Sequence, residues 1–367
     1  MTPDWRVIAP HRPVGPRSAM YVSPPSADAQ RIADWILAGG STVLVGGPTG
    51  VGKSSTLGHA AELLHDTRLA CLVPIDRWEN LYGITPERVL LRIAGRVAYL
   101  AMKEWGLSLN HELAEALQQE GVLSSSVVTQ QTGATYSSTA EHLLRLVLNE
   151  VTRLSKQGAV ALFIDGLEKL DNRPTNAEIF AALGRLPPEI DLVVVTPWNV
   201  SFGPSSSEVV RPGERFLSIR AAAVQGETDD GRVFLVEMLM RRLGIVDSDE
   251  IPHQFIDVVH AAAALSGGIP RMFLQLVADS AVHARIAGRD WPAREHLDTA
   301  TAELQQSLQR VLLPGDSNKL RDVDGTPGIE MELTSKIRLM AHGLLLEGQS
   351  TPTTVHVHPL IRSLVGV

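Results

Sequence analysis

The sequence predicts an α/β fold built on a parallel sheet, followed by an all-helical segment and a small mixed C-terminal module. Three observations carry this. Short apolar runs at 41–47, 68–76, 159–165 and 191–197 alternate with stretches of helical apolar spacing, the pattern of strands buried on both faces by crossover helices. The first run breaks into glycines and passes at once into a helical pattern. Beyond residue 222 the apolar spacing is helical almost throughout.

The totals agree. A chain of 367 residues is too long for one ordinary core, so two or three packed units are expected. Charged residues make up 20% and hydrophobic ones 44%, which is globular composition, and the net charge of -8 argues against a chain-wide nucleic-acid surface. Cys71 is the sole cysteine, which excludes an internal disulfide and a thiolate zinc cluster, fits a reducing cytosol and leaves the thiol a packing role. The sequence has no apolar run of about 18 residues and no apolar signal core near its start, so the expectation is a cytoplasmic protein with no membrane partner.

Taken in order, residues 1–26 carry Pro10, Pro13, Pro16, Pro24 and Pro25 and read as an extended segment without regular structure. Ser26 is placed to cap a helix over 27–38, with Ile32, Trp35 and Ile36 on one face and a stop at Gly39 and Gly40. Strand, loop and helix follow, the helix running from Lys53 to about Leu64. A second strand at 68–76 leads into the long amphipathic pattern TPERVLLRIAGRVAYLAMKEW. Residues 121–140 are rich in Ser, Thr and Gly and read as a loop. A helix from 141, the strands ending at Asp165 and Thr196, and a weaker fifth strand near 214–220 complete the sheet region. Four helical patterns then fill 231–313, and the last fifty residues give a helix, a turn, the alternating strand TTVHVH and a terminal helix. The boundaries expected are 1–26 for the lead-in, 27–222 for the sheet-containing domain, 223–315 for a helical domain and 316–367 for the C-terminal module.

Chemistry concentrates at GGPTGVGKSS. Gly47, four residues (Pro48, Thr49, Gly50, Val51), Gly52, Lys53 and Ser54 form the complete phosphate-binding pattern, with Ser55 behind it. Glycines let successive amides turn inward as an anion nest, and the following helix points its positive end at the phosphates. Lys53 is expected to reach the β and γ phosphates of ATP and Ser54 to ligate Mg2+. A second acid must hold the metal's water shell, and Asp165, ending a strand in ALFIDGLEKL, is the candidate against an ordinary helix-capping Asp. Glu168 is a candidate for polarising the attacking water, against a solvated carboxylate in a first helical turn. Thr196, at its strand end, is a candidate γ-phosphate sensor, against a plain turn residue before Pro197. The histidines at 253, 260, 356 and 358 read as ordinary residues rather than metal ligands, and Trp35, Trp78, Trp105 and Trp198 as core or junction anchors.

Together the loop, the Asp-Gly-Leu-Glu segment, Thr196 and LSGGIPRMFLQL resemble the AAA+ P-loop ATPases and their signal-transducing STAND relatives, over residues 20–315. The resemblance implies a lid whose Gly268, Pro270 and Arg271 form a nucleotide-sensing element, with Arg271 on the γ phosphate; the bland alternative is an exposed arginine behind a helix-initiating proline. VHVHPLIRSLV is similar to an appended winged-helix module. Many AAA+ proteins carry a glutamate where Gly166 stands here, so slow hydrolysis is the alternative to rapid turnover. Arg211 or Arg215, with Arg220 nearby, would be the finger acting in trans, which implies self-association in the ATP state. A protein partner or effector and, as a third reading, DNA are the implied partners of such a switch.

Overall fold

The computed structural model describes residues 3–39, 42–124, 139–170, 174–198, 200, 214–224, 229–245, 251–326, 331–348 and 354–367. Contacts divide the chain into a sheet unit, Asp28–Gly46 with Thr56–Leu217, and a helical unit, Met1–Ala27 with Gly47–Ser55 and Ser218–Val367.

In the sheet unit five strands stand in the order β2-β3-β4-β1-β5: β1 (Thr42–Gly46), β2 (Leu69–Pro74), β3 (Val160–Asp165), β4 (Asp191–Val195) and β5 (Arg215–Ser218). All five expected strands are present. Every residue of β1, β3 and β4 is buried, which is why these runs are continuously apolar rather than alternating. The pairs β1 with β4, β3 with β4 and β2 with β3 are parallel. Register sets the carboxyl ends side by side: Val45 pairs with Val195, Ile164 with Val194, and Asp165 with Pro74.

Helices α1 (Asp28–Leu37), α2 (Lys53–Leu63), α3 (Pro86–Lys103), α4 (His111–Gln119), α5 (Ala140–Leu154) and α6 (Pro174–Gly184) accompany this sheet. Thr85 caps α3 by accepting the Arg88 N–H, and Pro86 supplies its first turn with a preset φ. Thr139 caps α5 through the His142 N–H. The apolar faces of both, Val89, Ile93 and Val97 from α3 with Leu144, Val147 and Val151 from α5, join one core. Most of the loop expected at 121–140 lies outside the described residues. Trp78, expected as an anchor, is 39% exposed and lies beneath the Arg96 guanidinium at 5.5 Å.

The helical unit holds α7 (Asp230–Leu243), α8 (His253–Leu265), α9 (Pro270–Ile286) and α10 (Arg294–Gln309). It continues through α11 (Asp316–Val323) and α12 (Leu333–Ala341), the antiparallel pair β6 (Leu345–Glu347) and β7 (Val355–Val357), and α13 (Pro359–Val365). His356 points outward from β7 between buried Val355 and Val357, the alternation read from the sequence. His358 does not behave as an ordinary surface residue. It is fully buried, its Nδ1 accepts the Leu360 N–H at 3.2 Å, and its Nε2 meets the Ser266 carbonyl at 2.9 Å.

The expectation of an unstructured lead-in is corrected at its start. Trp5–Val7 form a 3-10 turn capped by Asp4, and the Trp5 ring packs edge-on at 5.5 Å from Phe255 and 5.7 Å from Trp291. Ile8 is wholly buried, and the buried Arg242 donates to the carbonyls of Ile8, Ala9 and Arg12. Prolines deprive this stretch of ladder donors, but Trp5 and Ile8 give it apolar anchors and Arg242 satisfies its carbonyls.

Two outcomes follow. Ile8→Ala removes a fully buried side chain and should lower unfolding free energy by about 2–4 kcal/mol in a denaturant titration, whereas a loose tail would tolerate the change within about 0.5 kcal/mol. Burial holds His358 neutral, pushing its pKa from 6.5 down to about 4. The unfolded chain then takes up a proton at a higher pH than the folded one. Stability is complete above about pH 6.5 and falls by about 1.4 kcal/mol per pH unit between about 6.5 and 4, and His358→Asn should remove that slope from urea titrations run across this window.

Candidate functional site

The phosphate loop occupies Gly47–Ser55 in the helical unit. It leaves β1 at Gly46 and ends in α2, the strand, loop and helix the motif requires. Gly47, Gly50 and Gly52 have φ of 145°, 87° and 111°, a region closed to ordinary side chains, and a Cβ at Gly52 would point into open space. The buried Lys53 ammonium folds back over the loop and donates to the carbonyls of Gly47 at 2.9 Å and Pro48 at 3.0 Å. A buried cation held over a glycine-rich loop at the start of a helix fits a polyphosphate.

Within the same unit, the turn before α9 lies against this loop. Arg271, the second residue of α9, donates its backbone N–H to the Gly50 carbonyl at 3.3 Å. A Cβ on Gly50 would fall 2.6 Å from Arg271 Cβ, so the arginine stem occupies the space that glycine leaves. The side chain is half-buried, not the exposed arginine of the bland reading. Two neighbours were not legible in the sequence. Thr49 donates its N–H to the Ala341 carbonyl at the end of α12 at 3.2 Å, and a Cβ at Gly343 would stand 2.9 Å from Ile269 Cδ1 and 3.7 Å from Pro48 Cβ. The apolar spacing of TSKIRLMAHGLLL reads as one helix, but Gly343 at φ 69° ends it at Ala341 and Leu345–Glu347 form β6 instead.

In the sheet unit the candidate acids and hydroxyl stand at adjacent strand ends. Asp165 terminates β3, is 5% exposed, and its Oδ1 is buried without a hydrogen-bond partner. A buried carboxylate oxygen left unmet is costly unless a cation or its water shell completes it, so the donor set fits Mg2+. Thr196 is buried directly after β4 and its N–H donates to the Val45 carbonyl at 3.0 Å. Glu168 lies half-buried in the 3-10 turn Leu167–Lys169. Gly166 precedes that turn at φ 93°, and a Cβ there would meet the Asp76 carboxylate at 2.5 Å, with Asp76 itself paired to Lys169. An acid at position 166 is thereby disfavoured by backbone conformation, by the Asp76 side chain and by like charge. Of the arginines, Arg215 stacks over Trp35 at 5.3 Å, Arg220 approaches Glu347 at 3.9 Å, and Arg211 lies outside the described residues.

A family model for the AAA ATPase domain matches residues 33–195. Residues 33–195 are an AAA ATPase domain. The domain makes this chain an ATP-binding, ATP-hydrolysing protein. No curated protein matches the chain. Among solved structures, the Walker-type ATPase of Pyrococcus abyssi is similar at 15% identity, over 95% of this chain and 100% of that one, with a TM-score of 0.54. The Aeropyrum pernix ORC1 protein, solved in complex with DNA, is 18% identical over 99% of this chain and 96% of that one, with a TM-score of 0.49. The Thermotoga maritima RuvB Holliday junction branch migration motor is 13% identical over 95% and 99%, with a TM-score of 0.41. At these identities the Pyrococcus likeness speaks for the fold alone. No helix among the described residues is long and apolar enough to cross a membrane.

Gly166→Glu, which would install the acid that many AAA+ proteins carry, should not raise turnover. Left-handed strain of about 1–2 kcal/mol, with the Asp76 clash on top, should lower the melting temperature and leave steady-state phosphate release at or below the wild-type rate.

Proposed function

We propose that the chain is a magnesium-dependent ATPase whose triphosphate state repositions the 223–315 lid and promotes self-association, with the 316–367 module, winged-helix-like, presented to a protein partner or effector. The observation that carries this reading is the seating of Arg271 on Gly50, which ties the first turn of α9 to the phosphate loop. A lid built in this way responds to what the loop holds.

In this reading Gly47 to Ser55 cradle the phosphates, Lys53 exchanges its loop carbonyls for β and γ oxygens, and Arg271 meets the γ phosphate. Ser54 and Asp165 hold the metal, which when bound neutralises phosphate charge. Glu168 orients the attacking water, since position 166 carries no acid, and Thr196 senses the γ phosphate. Arg215 or Arg211 serves a neighbouring copy, as the resemblance to AAA+ proteins implies. The lack of an acid at position 166 also favours a second reading, a slow switch that assembles when loaded and seldom turns over.

Phosphate release from ATP tests the first reading. Lys53→Ala should cut it by roughly 10²-fold or more and EDTA should abolish it, while light scattering should give a larger mass with ATP than with ADP or no nucleotide. Full turnover by Lys53→Ala would sink the assignment. Negligible wild-type turnover together with an ATP-dependent mass would favour the slow switch.

A further inference from the structure

His358 stands outside the machinery described so far, yet it is wired to it. Its Nδ1 accepts the Leu360 N–H at 3.2 Å, so that nitrogen carries no proton; Nε2 therefore carries it and donates to the Ser266 carbonyl at 2.9 Å. One tautomer satisfies both bonds, and the ring is fully buried between them.

The Ser266 carbonyl belongs to the turn that launches α9. It also accepts the Ile269 N–H at 3.1 Å, while Ser266 Oγ donates to Ala263 at 2.7 Å and accepts the Gly268 N–H at 3.2 Å. Gly267 and Gly268 take φ of 58° and 80°, and the Gly268 carbonyl accepts the Ala222 N–H at 3.0 Å. A Cβ at Gly267 would press on His358 Nε2 at 2.9 Å. Two residues on, Pro270 opens the helix and Arg271 binds Gly50. Every atom from the imidazole to the phosphate loop is thus one short step from the next.

We propose that His358 is a positioning residue for Arg271: by holding the Ser266–Gly268 turn it places the start of α9 against Gly50, and so makes the C-terminal module part of the ATPase machinery. The inference rests on the γ-phosphate role proposed above for Arg271. His358 touches no reacting group; it acts through backbone.

The test uses the full chain and three variants, with steady-state ATP turnover and affinity for a fluorescent ADP as readouts. His358→Asn keeps an acceptor for Leu360 but is too short to reach Ser266. His358→Gln places a donor near the position of Nε2, and Arg271→Ala removes the group being positioned. His358→Asn should lower kcat by about tenfold while KM and ADP affinity move by less than about threefold, and His358→Gln should recover most of the loss. In the Arg271→Ala background the His358→Asn change should cost less than about twofold more. Equal losses for Asn and Gln, or losses at 358 and 271 that multiply, overturn the proposal. Should His358→Asn fail to fold, His358→Ser decides instead, because an N-cap serine hydroxyl also accepts the Leu360 N–H and cannot reach Ser266: a kcat reduced by about tenfold supports the proposal and a wild-type kcat overturns it. A wild-type chain without turnover, or an unimpaired Arg271→Ala, overturns the function reading as well, whereas a loss confined to Arg271→Ala overturns only the role of His358.

Discussion

Backbone approaching backbone at Gly50 is the constraint on which the loop's surroundings depend. The Arg271 amide reaches the Gly50 carbonyl, and the arginine's Cβ fills the volume a side chain at position 50 would claim. Gly50 is therefore required twice, once for its φ of 87° and once for the neighbour it admits. The same economy holds at Gly47, where a Cβ would meet the Ile219 carbonyl at 2.6 Å. A phosphate loop is usually explained by what it offers a ligand; here the missing side chains also set which protein elements can lie on it.

The acids obey a different logic, set by the sheet. Parallel register brings the ends of β1, β3 and β4 level, so Asp165 and Thr196 leave the sheet at neighbouring positions. Asp165 is nearly sealed from water, with one oxygen unmet, and Gly166 turns the chain through a left-handed residue immediately afterwards. That turn brings Lys169 to Asp76 and closes the space an acid at 166 would need. Glu168 follows in the same turn and is half-buried.

Much of this is legible in the amino-acid sequence. Continuous apolar runs announce buried strands, and β1 to β4 fall within them, whereas β5, with Leu217 alone of its residues buried, leaves only a weak signal. Strand order was not legible: the apolar runs are interchangeable, and only tertiary packing places β1 between β4 and β5. Helices α4 and α6 escaped the reading, although Asn110 caps α4 through the Glu112 N–H. The N-terminal turn escaped because prolines masked the anchoring value of Trp5 and Ile8. At the site, the motif residues announced themselves through spacing, while the partners of Thr49 and Ser266 are backbone atoms distant in sequence and leave no compositional trace.

Histidine at position 358 is chemically apt for what it joins. The end of α8 leaves carbonyls in need of donors, and the start of α13 leaves amides in need of acceptors. A buried lysine or arginine could supply only donors and would carry charge into the interior; a carboxylate could supply only acceptors. A neutral imidazole offers one of each, on a rigid ring that fixes the distance between the two helix ends. Pro359 behind it removes one amide from the start of α13 and presets its φ, so the ring's acceptor is left for Leu360. Of the two alternating histidines, His358 is the one whose ring meets a helix end on either side, while its neighbour His356 is exposed on β7.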